Sequence, residues 1–147
     1  MRNFFYIIIV LSLSFSALGE KKTIDQLREE AEKSSGGHQA ELYAELANRL
    51  VDVANEQFNA GDSVKGQSTV QDILADATRA HDVAVSSRKK LKQVEIRLRE
   101  TQRQLENMRR TLAAVDRPPV EGVEKKLADY RQDILNVMFE PKKRKIL

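Results

Sequence analysis

The chain has no cysteine and no tryptophan, and only 3 prolines, 6 glycines and 2 histidines among 147 residues. Each absence excludes something. Without cysteine there are no disulfides, no thiolate metal sites, no cysteine nucleophile and no cysteine-linked lipid anchor. Two histidines, His38 and His81, stand far apart with no His-x3-His or Glu-x-x-His spacing, which leaves zinc and di-iron centres unsupported. Aromatic residues make up 5% of the chain, so a core must come from Leu, Val, Ile and Ala, which suits slender helical packing. The scarcity of proline and glycine disfavours a β-sandwich and a disordered chain alike.

What is present begins with a targeting pattern. Arg2 supplies one positive charge, Phe4 to Phe15 (FFYIIIVLSLSF) is an almost unbroken apolar run, and Ala17 and Gly19 are small residues at the −3 and −1 places of a cleavage site. A basic start, a short apolar stretch and a small-x-small exit form a secretory signal. The run is shorter than the roughly 20 residues a bilayer requires. The expected organisation is a cleaved signal over 1–19, one all-α domain over 20–140, and a mobile basic tail over 141–147. The expected location is outside the cytoplasm, periplasmic or extracellular.

Helix signals follow in order. Thr23 and Gln26 have capping-box spacing, which predicts a short helix over Ile24–Lys33. Ser34-Ser35-Gly36-Gly37 reads as its breaker. A second helix is predicted over Gln39–Phe58. It carries one stripe of Ala40, Ala44, Ala47, Val51, Ala54 and Phe58, and a second of Tyr43, Leu46, Leu50 and Val53. Two adjacent stripes predict contact with two neighbours at once. Gly61 suits a left-handed helix end and Asp62 the next N-cap.

Beyond Asp62, apolar residues recur every seventh position: Val70, Ala77, Ala84, Leu91, Leu98, Leu105 and Leu112. Three residues after each come Ile73, Ala80, Ser87, Val94, Thr101, Met108 and Val115. Uninterrupted heptads predict one long coiled-coil-like spine, roughly 70 Å from Val70 to Val115, with room for a kink at Ser86-Ser87. The small layers Ala77, Ala80 and Ala84 predict a close approach to the Ala-rich second helix. Pro118-Pro119 is expected to stop the spine. A last helix over Val120–Phe139 would return antiparallel along the spine's later half. The fold class is therefore all-α, antiparallel helical hairpins on one long spine helix.

Charge divides by half. Glu20–Ser87 holds 7 basic and 13 acidic residues, whereas Arg88–Leu147 holds 17 basic and 9 acidic. The i,i+4 pairs Glu95–Arg99, Glu106–Arg110 and Glu121–Lys125 fit a solvated helix surface. Alternatively the basic half docks an anionic partner. The candidate contacts are Arg88, Lys89, Lys90, Lys92, Arg97, Arg99, Arg103, Arg109 and Arg110, with Lys142, Lys143, Arg144 and Lys145 of the tail.

Other motifs fail on chemistry. Gly61–Ser68 approaches the phosphate-loop pattern, but Gln67 stands where the lysine must be and no strand precedes it. The carboxylates of Arg28–Glu32 lack an apolar pocket to perturb them. Pro141–Ile146 looks like a nuclear-import run, which the secretory signal contradicts. Aromatic residues near the basic half, Tyr130 and Phe139, are expected on the apolar face rather than on a nucleic-acid platform.

The stretch Ala40–Ala84, with Leu46-Ala47, Ala54, Phe58 and Gly61-Asp62, resembles one tetratricopeptide-type helical hairpin. It covers about a third of the chain after the signal, with Gly66 at a usual alanine position and no second copy of the motif following. It implies a shared packing solution and brings no binding residues, cofactor or activity with it.

The sequence thus reads as an exported, non-catalytic helical protein of the cell envelope, without cofactor, metal, nucleic acid or small-molecule substrate. Its expected role is protein–protein interaction or scaffolding, including self-association through Ile96 or the Leu stripe left uncovered on the spine. Two alternatives stand beside it: binding of anionic envelope lipid or polymer through the basic half, and a holdase-type chaperone role.

Overall fold

The computed structural model describes residues 21–141. The expected signal over 1–19 and the basic residues of the tail lie outside the described residues. Five α-helices follow one another: α1 (Ile24–Lys33), α2 (Gly36–Asn59), α3 (Ser63–Ser87), α4 (Leu91–Thr111) and α5 (Arg117–Phe139). One 3-10 turn, Ala114–Asp116, precedes α5, and no strand occurs among the described residues. The all-α expectation holds.

The single spine does not. The chain breaks at Arg88–Lys90, where Arg88 (φ 53°) and Lys90 (φ 59°) both adopt the left-handed conformation. Helix α4 then turns back to run parallel to α2. The heptads continued across this break because α3 and α4 each turn an apolar stripe to the core, and the stripe records burial, not continuity. The second boundary also moves. Helix α4 ends at Thr111, Val115 is 77% exposed in the 3-10 segment, and Pro118 and Pro119 open α5 instead of closing the helix before it. Proline is well placed there, since its missing N–H has no helical partner to lose. At the other end, the break after α1 is confined to Ser34-Ser35, and both Gly36 and Gly37 belong to α2.

Local chemistry accounts for the remaining ends. Thr23 Oγ1 accepts from Gln26 N–H (3.2 Å) while Thr23 N–H donates to Gln26 Oε1 (2.9 Å), completing the capping box. Gly61 takes φ 79°, and the Asp62 carboxylate accepts from Lys65 N–H at 3.1 Å. The α2–α3 turn is therefore as the sequence predicts.

Four helices form two antiparallel hairpins laid side by side, α2–α3 beside α4–α5, with α2 against α4 and α3 against α5. Helix α1 packs on the first hairpin through Leu27 and Ala31. The two hairpins share one burial pattern. The α2 stripe Ala40, Ala44, Ala47, Val51, Ala54, Phe58 recurs 54 residues later (94 against 40) as Val94, Leu98, Thr101, Leu105 and Met108 on α4 and Leu112 just after it. On α3 and α5 the same shift pairs Thr69 with Val123, Ile73 with Leu127 and Ala80 with Ile134. Asp62 and Asp116, which precede α3 and α5, are also related by it. Small residues dominate the first hairpin and large ones the second. Helices α2 and α3 therefore approach closely, while the Leu, Ile and Met side chains of α4 and α5 fill the layers beside them.

Polar pegs hold this register at every seam. Along α3–α5, Asp116 accepts from Ser63 Oγ (3.0 Å) and Gln67 Nε2 (2.8 Å), Thr78 meets the Tyr130 hydroxyl (2.8 Å), and His81 meets Asp133 (2.6 Å). Along α2–α4, Asn48 donates to Thr101 Oγ1 at 3.1 Å, which satisfies the polar Thr101 layer of the heptads. Across α1–α3, Arg28 bonds both oxygens of the buried Asp76 carboxylate (3.0 and 2.8 Å). No side-chain polar atom is buried without a partner among the described residues. Satisfied seams of this kind fix which helix sits beside which.

The Leu stripe expected to seek a second chain is filled internally. Leu98, Leu105, Met108 and Leu112 are all buried against the neighbouring helices.

Candidate anionic-partner surface

The α3–α4 connection concentrates the basic residues. Arg88, Lys89, Lys90 and Lys92 are all exposed and lie at the end of the bundle where α2 and α4 begin and α3 and α5 end. Of the two glycines read in the sequence as a helix breaker, Gly37 has a seating role here. A Cβ on Gly37 would stand 2.7 Å from Lys90 Cγ and 2.9 Å from Lys89 Cβ, so the connection rests directly on the first turn of α2. Ser35, Gly36, Gly37, His38, Lys89 and Lys90 line a cleft of about 520 Å³ at this point. Two left-handed non-glycine residues within three positions store roughly 1–2 kcal/mol each, held in place by the packing around them.

The structure sorts the candidate residues into two groups. Those on the flanks of α4, Arg103 apart, are met by acids of the same chain. Arg97 pairs with Glu45 (3.0 Å) and Glu100 (2.8 Å), Arg99 with Glu95 (3.7 Å), Arg109 with Glu124 (2.7 Å) and Arg110 with Glu106. The Glu95 carboxylate is also held by Arg131 at 3.0 Å. All three i,i+4 pairs expected from the sequence form, Glu121–Lys125 included. At the bundle end, Arg88 reaches Glu140 (3.2 Å) and the Val137 carbonyl (3.3 Å), and Lys90 lies 3.5 Å from Glu41. Lys89, Lys92 and Arg103 form no ion pair among the described residues. Lys142, Lys143, Arg144 and Lys145 lie outside the described residues.

Phe139 was expected on the apolar face, and it is 77% exposed. It lies two residues past Val137, off the 3-4 spacing that runs through Leu127, Tyr130 and Ile134, and that offset is the signal that places it outward. It shares the bundle end with Arg88 and Lys89. The seat at Gly37 had no sequence signal, because a glycine pair between helices reads as a plain breaker.

Two further sites carry chemistry. The His81 ring stacks on Tyr130 (centroids 4.6 Å apart) and contacts Asp82 (2.8 Å) and Asp133 (2.6 Å), tying α3 to α5. No group of three or more His, Cys, Asp or Glu side chains among the described residues is placed to hold a metal ion. The outer groove between α2 and α4 is lined by His38, Glu41, Leu42, Glu45, Ile96 and Arg97, with a volume of about 420 Å³, and Ile96 is 43% exposed in it.

No described helix is long and apolar enough to cross a membrane. Comparison with known proteins finds no matching family model, no similar curated protein and no similar solved structure.

Proposed function

We propose that this chain is an exported, non-catalytic helical interaction module of the cell envelope whose working surface is its basic end, Arg88–Lys92 with Lys142–Lys145. One observation carries the reading: on the flanks of α4, Arg97, Arg99, Arg109 and Arg110 are matched by acids of the same chain and Arg103 stands alone, whereas the unmatched Lys89 and Lys92 lie together at the end from which the basic tail departs. A matched arginine offers little field to a partner, because its charge is already met at 3–4 Å. Clustered free lysines offer much more, and they steer an anionic surface towards one end of the bundle.

The reading is tested with the full chain and immobilised polyglutamate, a minimal acidic partner. Binding weakens steeply as salt rises from about 0.15 M to about 1 M, since the screening length falls from about 8 to about 3 Å. Lys89→Gln with Lys92→Gln weakens it further, while Arg99→Gln with Arg110→Gln leaves it within twofold. Equal effects from the two pairs would refute the assignment.

A second reading, docking of a protein segment along the α2–α4 groove, is favoured by the exposure of Ile96 beside Leu42. Ile96→Lys abolishes such docking without touching the polyglutamate response.

A further inference from the structure

We infer that the basic end is a docking face for an anionic phospholipid bilayer, with Phe139 as the side chain that enters the membrane interface. This rests on the proposed reading of that end as an anion-directed surface, and it names the surface. Two observations meet at one place, and the sequence beyond them adds a third. Arg88 joins the α3–α4 connection to the last turn of α5 through Glu140 (3.2 Å) and the Val137 carbonyl (3.3 Å), so the connection that carries the lysines lies against the helix end that carries Phe139. Phe139 is 77% exposed, while its neighbour Met138 packs against the core, so the helix turn that presents the ring is anchored. The sequence beyond, Pro141-Lys142-Lys143-Arg144-Lys145-Ile146-Leu147, adds four cations and two more apolar residues.

Cations interleaved with outward apolar side chains match an anionic bilayer on two counts. Ammonium and guanidinium groups sit at the headgroup level, where the surface potential is negative, and an aromatic ring lies just below them at the acyl boundary. Neither contact is strong alone. Each lysine near such a surface is worth about 1 kcal/mol, or about fivefold in partitioning, and a ring entering the interface adds roughly tenfold. Charge or ring alone gives marginal attachment, and the two together give binding that is both salt-sensitive and dependent on the ring. An acidic protein or polymer supplies the charge without the apolar layer, which separates the two classes of partner.

The experiment uses the full chain with vesicles of zwitterionic lipid, vesicles containing anionic lipid, and polyglutamate in solution. Zwitterionic vesicles measure what the apolar run near the N-terminus contributes by itself. The chain has no tryptophan, so Phe139→Trp introduces the sole indole. Its emission shifts to the blue and is quenched by bromine-labelled lipid on anionic vesicles, and it stays unchanged with polyglutamate. Phe139→Ala lowers partitioning onto anionic vesicles by about tenfold and leaves polyglutamate binding intact. Lys89→Gln with Lys92→Gln lowers both, by roughly 25-fold for vesicles. Far-UV circular dichroism checks that each variant is folded. If Phe139→Trp emission does not move on anionic vesicles, or the parent binds zwitterionic and anionic vesicles equally, the bilayer is not the partner. A lysine dependence on polyglutamate would then still support the basic end as an anion-directed surface. If the lysine pair affects neither partner, both readings fall together.

Discussion

Replacing Arg28 by Met tests whether the seat of α1 is as dry as the structure makes it. Arg28 donates from Nη1 and Nη2 to the two oxygens of Asp76 at 3.0 and 2.8 Å. The partners are unequally sheltered, with 2% of the Asp76 side chain exposed against 33% for Arg28. Asp76 also raises the Arg28 pKa above its already high ordinary value, chiefly through these hydrogen bonds. Removing the guanidinium leaves a carboxylate without its counter-charge beneath α1, a change that costs about 3–5 kcal/mol for a buried pair. Removing the other partner is milder: in Asp76→Ala the half-sheltered guanidinium turns to water, at a cost of about 1–2 kcal/mol. The double change Arg28→Met with Asp76→Leu should recover to within about 1 kcal/mol of the parent, since neither charge then needs the other. Urea unfolding followed by circular dichroism reads all three, and a loss of 3 kcal/mol lowers the melting temperature by roughly 10 °C in a domain of this size. The single variant has one escape, in which α1 detaches and lets water reach Asp76. In that case the unfolding slope m falls as well, because less surface remains to be exposed. An Arg28→Met variant that loses less than about 1 kcal/mol with an unchanged slope would refute the reasoning.

Three further outcomes are expected. Burial pushes the Glu124 carboxyl above its ordinary value of 4.5, outweighing the opposing pull of Arg109. The folded chain then holds that proton more tightly than the unfolded one, so this group's contribution to stability falls as pH rises from about its ordinary value through the raised one. Glu124→Gln should therefore gain on the parent in urea midpoint between acid and neutral pH, and a gap that moves the other way counts against the assignment. Lys90→Gly relieves a left-handed lysine at the cost of a partly exposed contact to Glu41, for a net gain of about 0.5 kcal/mol and a rise of about 2 °C in melting temperature. Leu98→Ala, at a position with no exposure, should cost about 2–5 kcal/mol, while Ile96→Ala, 43% exposed two residues earlier, stays within about 0.5 kcal/mol.

Helix content, the capping box at Thr23 and the Gly61-Asp62 turn were legible because each depends on a few neighbouring residues. Which residues are buried was legible as well, from Val70 to Leu112, because the period of a helix face is a local property. The path of the chain was not. Nothing from Ser86 to Lys90 is a glycine or proline, and Ala84 and Leu91 keep the seven-residue step across the break, so a chain that reverses and a chain that continues write the same pattern. What accompanies the reversal lies underneath and far off in sequence, where Gly37 leaves room for Lys89 and Lys90 that a Cβ would crowd. The candidate surface was legible as a list of cations. The partners of Arg99 and Arg110 were legible as acids four positions earlier, whereas those of Arg88, Lys90 and Arg97 include acids 50 or so positions away, such as Glu45 opposite Arg97, which no local pattern carries.

Because α2 and α4 start at the basic end while α1, α3 and α5 finish there, the half-charges of the peptide macrodipoles come close to cancelling and leave, if anything, a slight negative residue. Whatever attraction the proposed surface exerts on anions must therefore come from side chains alone. Acetylating a few lysines would erase it without disturbing a single helix, and a chain treated in this way should keep its melting temperature while losing its attraction to anions.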